Sequence, residues 1–122
     1  MLSYTTIGTN NWESALEFYD RLLDLIGATR LMNMDGFVLF GASMQSSNLA
    51  IVRPFDGKEA THGNGTMLAF QVASQDMVTE FYRKALELGA TDEGAPGFRA
   101  DGFYGAYCRD LDNNKLCVFV LG

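Results

Sequence analysis

The sequence predicts an α+β fold made of two βαβββ modules in tandem, and two observations carry this prediction. The chain matches itself when it is shifted by 63 residues, so that Glu17-Phe18-Tyr19 falls on Glu80-Phe81-Tyr82. In both copies an apolar strand is followed by a helix with apolar residues at helical spacing, and then by three short strands. This order predicts a curved mixed sheet around a cleft, with the helices on the outer face of the sheet.

The first half predicts one helix and four strands. Asn10 or Asn11 is the expected N-cap, because an Asn side chain accepts a hydrogen bond from the first turn of a helix. Gly27 stands where a left-handed C-cap ends the helix. The strands are predicted over residues 2–9, 28–33, 37–42 and 48–53.

The second half repeats this order. Ser74 is the expected N-cap of its helix, and Gly89 the expected end. Strands are predicted over residues 66–72, 91–93, 103–109 and 115–121. Residues 92–102 are rich in Gly and other turn formers, which favours a mobile loop that acts either as a lid or as a simple connection.

The sequence predicts a single domain, with module one at residues 1–55, a linker at 56–64 and module two at 65–122. The linker is assigned from the polar and turn-forming residues of "RPFDGKEATHGNG". Each helix can cover only one face of its own sheet. The other face of each sheet is therefore where a functional site is expected.

Composition and charge narrow the class of partner. A chain of 122 residues with 48% apolar content can bury one ordinary core. The net charge of −6 argues against nucleic acid, because that affinity depends on Lys and Arg at phosphates. No apolar run approaches the roughly 20 residues of a membrane span, and no secretory signal is seen. We expect a cytoplasmic protein with no membrane partner.

Four segments resemble the vicinal oxygen chelate superfamily, which includes glyoxalase I, extradiol dioxygenases and bleomycin-binding proteins. They are "FYDRLL", "RPFDGKEATHGNGTMLAF", "LGATDEGAPG" and the "DLDNNK" turn before the last strand. The last segment is similar to the Asp-Pro-Asp-Gly-Asn-Lys turn of the family, with Leu111 and Asn113 in place of Pro and Gly. The resemblance covers the whole chain and implies paired βαβββ modules and a homodimer.

The resemblance also implies where a metal site would lie. Metal-dependent relatives hold a divalent ion with His and carboxylate side chains, and these positions map to Tyr4, Met67 and Cys117, with a fourth near Ile51. Tyr and Met are poor ligands for Zn, Ni, Fe or Mn. We therefore expect no metal at the family's site and no cofactor.

The sequence leaves three interpretations of Cys117 open. A regular hairpin around "DLDNNK" would set Cys108 opposite Cys117, so that the thiols form a redox pair or, with Met67, a site for Cu(I). The third interpretation, a small buried hydrophobe, is favoured because free Cys is among the most buried residue types.

A small-molecule site is predicted from the remaining residues of the expected cleft. Tyr4 and Met67 would either line an apolar pocket or fill the cleft as core. Arg53 could hold an anionic group, or pair with Asp56 or Glu59. Arg30, Arg99 and Arg109 are weaker candidates of the same kind, and at most one of Tyr104 and Tyr107 would line the cleft. The predicted ligand-binding set is Tyr4, Ile51, Arg53, Met67, Cys108 and Cys117.

Two functions follow from this set. The favoured function is metal-independent binding of a small organic molecule, including an anionic one. The alternative is a metal-independent lyase or related enzyme with Tyr4 or His62 as acid or base. A solvated, idle role is favoured for His62, because it lies in a loop.

Overall fold

The computed structural model describes residues 1–122 and divides into two compact units, Met1–His62 and Gly63–Gly122. Each unit is a βαβββ module with a four-stranded mixed sheet of its own, named here sheet A and sheet B. The predicted α+β fold of tandem βαβββ modules is therefore confirmed. Neither helix is both long and apolar enough to cross a membrane.

The first unit contains one helix and sheet A. Its elements are β1 Tyr4–Gly8, α1 Trp12–Asp24, β2 Thr29–Met34, β3 Phe37–Gly41 and β4 Asn48–Val52. The strand order is β1-β4-β3-β2, with β1 parallel to β4 and the other neighbours antiparallel. A parallel pair needs a long connection, which α1, β2 and β3 supply here.

The ends of α1 are set by the residues that the sequence indicates. The Asn11 side chain accepts a hydrogen bond from the Ser14 amide at 3.3 Å, as an N-cap does. Gly27 has a φ of 76°, and the Ala28 amide donates to the Leu23 carbonyl at 3.0 Å. That bond closes the helix and turns the chain toward β2.

The second unit repeats the arrangement with sheet B. Its elements are β5 Leu68–Gln71, α2 Gln75–Glu87, β6 Thr91–Ala100, β7 Phe103–Arg109 and β8 Lys115–Leu121. The strand order is β5-β8-β7-β6, with β5 parallel to β8. Ser74 caps α2 by accepting from the Met77 amide at 3.1 Å, and Gly89 follows its end with a φ of 109°.

The loop predicted at residues 92–102 is instead a strand, because β6 continues to Ala100. Its register against β7 shifts at three places, and Gly94 and Gly97 lie at these bulges. Gly94 leaves room for Tyr107, since a Cβ at position 94 would stand 3.0 Å from the Tyr107 ring. Pro96 is accommodated because β6 is the edge strand of sheet B. The turn formers of this segment therefore mark bulges in a strand.

Candidate functional site

Sheet A has one face against α1 and one face turned away from it, called here the far face of sheet A. The rings of Phe40 and Tyr19 of α1 lie 6.5 Å apart, which places Phe40 on the helix face. On β4, Leu49 pairs with Phe40 and has the same orientation. Ile51 lies two residues after Leu49 and is 1% exposed. Ile51 therefore faces α1, because side chains alternate along a strand.

Tyr4 lies on the far face, because it pairs with Asn48 and so has the opposite orientation to Leu49 and Ile51. The structure therefore does not bring Tyr4 and Ile51 together. Tyr4 is 51% exposed, and its ring meets the ring of Phe37 edge to face at 5.8 Å between centroids. In the register, Ala50 lies between the two aromatic positions, so the rings meet above it.

A pocket of about 600 Å³ opens on the far face of sheet A, within the first unit. Its floor comes from strand residues, Thr6, Gly8, Phe37 and Val52. Its wall comes from Gly36 and the segment after β4, through Arg53, Pro54, Phe55, Asp56, Glu59, Ala60 and Thr61. The volume and the mixture of apolar surface with a few polar groups are those of small-molecule sites.

Asn10, which follows β1, holds the wall of the pocket in place through two hydrogen bonds to Ala60. Its amide nitrogen donates to the Ala60 carbonyl at 3.0 Å, and its oxygen accepts from the Ala60 amide at 2.7 Å. The segment can lie close to β1 because position 8 is glycine. A Cβ on Gly8 would stand 2.9 Å from the Ala60 Cβ.

We expect Gly8→Ala to displace the wall of the pocket. The added methyl would overlap Ala60 closely enough that the backbone must move, and overpacking of this kind costs about 1–3 kcal/mol in the free energy of unfolding. Urea unfolding measures the loss. The double variant Gly8→Ala/Ala60→Gly should recover most of it, and a double variant no more stable than Gly8→Ala would contradict the contact.

Arg53 lines this pocket, but its charge is already balanced. The guanidinium is ion-paired with Asp35 and lies 4.6 Å from the centre of the Trp12 ring. The alternative prediction, that Arg53 pairs with Asp56 or Glu59, is therefore wrong. The hairpin of β2 and β3 brings Asp35 to it, since the Arg53 amide donates to the Gly36 carbonyl at 3.1 Å.

His62 is exposed and follows Thr61, the last lining residue of the pocket, but does not itself line it. Arg30 lies on the helix face of sheet A, where its guanidinium bonds both carboxylate oxygens of Asp20. Neither residue meets the pocket. The sequence prediction missed Thr6 and Gly8, although strand alternation from Tyr4 indicates that both share its face.

Sheet B also has a face against α2 and a far face. Phe70 packs on Phe81 of α2 at 5.3 Å, and the register puts Cys108 on the same side as Phe70. Cys117 has the opposite orientation, since it is adjacent in the chain to Val118, the partner of Phe70. The two thiols therefore lie on opposite faces of sheet B.

The predicted pairing of Cys108 with Cys117 is wrong by one residue. Cys117 pairs with Tyr107, and Cys108 pairs with Leu116. The hairpin closes with Arg109 opposite Lys115, so its turn has five residues and not four. A shift of one residue moves a side chain to the other face, and this excludes a redox pair or a shared Cu(I) site formed by these thiols.

Both thiols are buried and free. Burial raises the pKa of Cys108 from 9.0 to about 12, with Asp110 and Asp92 adding to the effect. Burial also raises the pKa of Cys117, against the opposing influence of a hydrogen bond with Tyr107 and of nearby cations. These environments favour neutral thiols packed as small hydrophobes over nucleophiles.

We expect neither thiol to react with a disulfide reagent in the native protein at pH 8. Both should react after unfolding in guanidinium, and absorbance of the released thiolate measures this. As pH rises, the Cys108 thiol loses its proton at a lower pH in the unfolded chain than in the folded protein. The free energy of unfolding should therefore fall as pH rises from about 9 toward 12. Rapid reaction of a native thiol at pH 8 would contradict the account.

Tyr107 lies on the far face of sheet B with Cys117, whereas Tyr104 lies on the side of Phe70. This confirms that the two tyrosines occupy opposite faces. Met67 immediately precedes β5 and is 43% exposed. It lies two residues before Ala69, which pairs with Cys117. Within the second unit, the far face therefore presents Tyr107 and Ala69 on either side of a buried Cys117.

The four residues that the resemblance maps to the family's metal positions are poor ligands for a divalent metal ion. Ile51 has no donor atom and faces α1, and burial raises the pKa of the Cys117 thiol, which has 0% exposure. Tyr4 and Met67 supply a phenol and a thioether. Neither unit brings together three His, Cys, Asp or Glu side chains that could hold a metal ion.

Two βαβββ modules, each with a helix on one face of its sheet, define the class of protein as a paired-module α+β fold. No family model and no curated protein matches the chain. A solved glyoxalase/bleomycin resistance protein from Albidiferax ferrireducens T118 matches at 33% identity, covering 100% of this chain and 99% of that one, with a TM-score of 0.92.

Two further solved structures share the fold at lower identity. A glyoxalase/bleomycin resistance protein/dioxygenase family enzyme from Burkholderia phytofirmans PsJN is 20% identical over 98% of each chain, with a TM-score of 0.79. A glyoxalase-type structure from Bacillus halodurans is 20% identical over 98% of this chain and 95% of that one, with a TM-score of 0.76. The chain belongs to the glyoxalase/bleomycin resistance protein superfamily.

Proposed function

We propose that the protein binds a small organic molecule in the pocket on the far face of sheet A, without a metal ion. The observation that carries this proposal is the pocket of about 600 Å³ itself, which combines a strand floor with a fastened wall. Pockets of roughly 300–1,000 Å³ with apolar linings and a few polar groups are typical of such sites.

The lining indicates what kind of molecule fits. Phe37, Val52 and Phe55 supply apolar surface, which favours a molecule with a ring or a branched hydrocarbon part. Asp56 and Glu59 supply carboxylates that no cationic side chain neutralises, while Arg53 is paired with Asp35. This pocket therefore suits an uncharged or cationic molecule better than an anionic one.

Three fragments with the same ring and different charge test the proposal, namely benzyl alcohol, benzylammonium and benzoate. Two-dimensional NMR of the labelled protein should show amide shifts at Thr6 and Val52 for the first two fragments, with benzoate the weakest. If none of the three, and no member of a wider fragment library, shifts the resonances of the pocket residues, the proposal fails.

The proposal includes a homodimer, which the resemblance implies, and a cytoplasmic location, which is predicted from the absence of a long apolar run in the sequence. Because the family fold pairs modules, we expect the chain to sediment as a dimer at micromolar concentration. Analytical ultracentrifugation measures this. A monomer over the whole micromolar range would contradict the homodimer without affecting the pocket.

The alternative of a metal-independent enzyme has less support. Tyr4 is next to the floor residues of the pocket, but His62 does not line it and Arg53 is already ion-paired. Neither Tyr4 nor His62, the predicted acids or bases, therefore lines the pocket beside an unpaired Arg53. We propose binding and no reaction.

A further inference from the structure

The far face of sheet B carries an excess of positive charge in a protein whose net charge is −6. Three cationic side chains, Arg99, Arg109 and Lys115, gather there around Tyr107 and a single carboxylate, Glu93. The proposed function rests on the pocket of the first unit and does not depend on this face.

Arg109 forms an ion pair with Glu93, the carboxylate of this face. Its Nε donates to one oxygen of Glu93, and its second nitrogen donates to the other oxygen at 3.0 Å. This bidentate pair lowers the pKa of Glu93. Lys115 Nζ forms an ion pair with the same carboxylate at 3.7 Å, so Arg109 and Lys115 share one negative charge. Two of the three positive charges are therefore not balanced by Glu93.

Arg99 has no carboxylate partner. Its guanidinium lies 5.3 Å from the centre of the Tyr107 ring, and one nitrogen donates to the Ala95 carbonyl at 2.5 Å. A guanidinium has five N–H donors in a planar fork, so most of them are left for another acceptor. The ring and the carbonyl hold the fork in place before any ligand arrives.

The bulges of β6 make room for this arrangement. A Cβ on Gly94 would stand 3.0 Å from an Arg99 nitrogen, and a Cβ on Gly97 would stand 3.1 Å from the other. Both distances are tighter than ordinary contacts, so the absence of side chains lets the guanidinium lie along the strand. Bulges commonly re-aim a side chain in this way.

A second cation lies near the same Tyr107 ring. Lys115 Nζ is 5.5 Å from the centre of the same ring, within the range of cation–π contact. Burial raises the pKa of the Cys117 thiol overall, although Arg99 and Lys115 both act to lower it. Two cations held around one aromatic ring, with little carboxylate to neutralise them, attract an oxyanion.

We infer that Arg99 and Lys115, arranged around Tyr107 on the far face of sheet B, bind the carboxylate or phosphate group of a small molecule. The Arg99 fork supplies paired N–H donors, and Lys115 supplies a second positive charge. Bidentate contacts from Arg to carboxylate or phosphate are among the stronger hydrogen bonds in proteins.

The test titrates the labelled protein with inorganic phosphate and, separately, with acetate at low ionic strength, following the amides of Gly97 and Tyr107 by NMR. We expect saturable shifts with at least one of the two anions. Arg99→Gln and Lys115→Gln should each weaken binding by about tenfold. Arg83→Gln removes the same charge from α2 and is the matched control.

The pattern of results identifies the ligand class. Binding of phosphate alone assigns the site to phosphorylated molecules, and binding of acetate alone or of both anions assigns it to carboxylates or to oxyanions in general. The inference is overturned if neither anion gives a saturable shift at concentrations up to about 10 mM, which corresponds to a Kd weaker than millimolar. It is also overturned if Arg83→Gln weakens anion binding as much as the two test variants do. Thr6→Trp changes only the first unit, whereas Arg99→Gln and Lys115→Gln change only the second, so this site and the pocket of the first unit are tested by different variants.

Discussion

Thr6→Trp is expected to abolish small-molecule binding by the pocket on the far face of sheet A. Thr6 is an exposed residue of the pocket floor, so an indole at this position occupies the space of a ligand without entering the helix-facing core. We expect at least about a hundredfold weaker binding, equivalent to roughly 2.7 kcal/mol. NMR titration with benzyl alcohol or benzylammonium measures the loss.

The internal repeat supplies a matched control. A shift of 63 residues places Thr6 on Ala69, which is exposed on β5 of sheet B and lines no described pocket. Ala69→Trp should bind both fragments as the wild type does. If Thr6→Trp kept full affinity, or if Ala69→Trp lost as much as Thr6→Trp, the ligand would not be held by the pocket of the first unit.

Asp110→Ala should be among the most destabilising changes in the second unit. The Asp110 carboxylate is buried and accepts from the Asp112 amide at 2.9 Å and from the Asn114 amide at 2.8 Å. Truncation leaves these donors without that acceptor, at a cost of about 1–3 kcal/mol for each buried group. We expect the free energy of unfolding to fall by about 2–4 kcal/mol, measured by urea denaturation.

Asp110→Asn is the conservative comparison for this turn. Its side-chain oxygen can still accept from both backbone amides, while the contact of the second oxygen with the Asn114 side chain at 3.0 Å is lost. We expect a loss of about 1 kcal/mol. An Asp110→Ala protein as stable as the wild type would show that the turn does not depend on this carboxylate.

The same turn shows where sequence reasoning reaches its limit. The strands at 103–109 and 115–121 were predicted at their observed bounds, because their apolar runs end in clear turn formers. The register between these two strands was not predicted, since it depends on whether four or five residues form the turn. Asn113, with a φ of 69°, and the carboxylate of Asp110 select five residues. That choice decides that Cys117 faces Tyr107 and not Cys108.

Local signals were sufficient for the helices and insufficient for the pocket. Asn11, Ser74, Gly27 and Gly89 mark the helix ends within a few residues of chain, so their roles could be predicted from sequence. The pocket depends on Asn10 binding Ala60, which is 50 residues away. No periodicity or composition encodes such a contact, and the pairing of Arg53 with Asp35 is of the same kind.

The interpretation of residues 92–102 failed for a different reason. Gly and Pro favour loops on average, but an edge strand tolerates Pro, and bulges use Gly. In β6 these residues create the space in which Arg99 lies against Tyr107. The segment that the sequence indicated as a mobile loop, either a lid or a simple connection, therefore contributes a cation to sheet B.

The measurement that tests metal independence most directly is elemental analysis of the protein purified without chelator, and again after incubation with Zn, Ni, Mn, Fe(II) and Cu(I). Because Tyr4, Ile51, Met67 and Cys117 supply no imidazole or carboxylate, we predict no stoichiometric metal in any sample. One equivalent of Zn, Ni, Mn or Fe per chain would contradict the assignment of these four positions. Stoichiometric Cu(I) would mean that Cys117 or Met67 is a ligand after all.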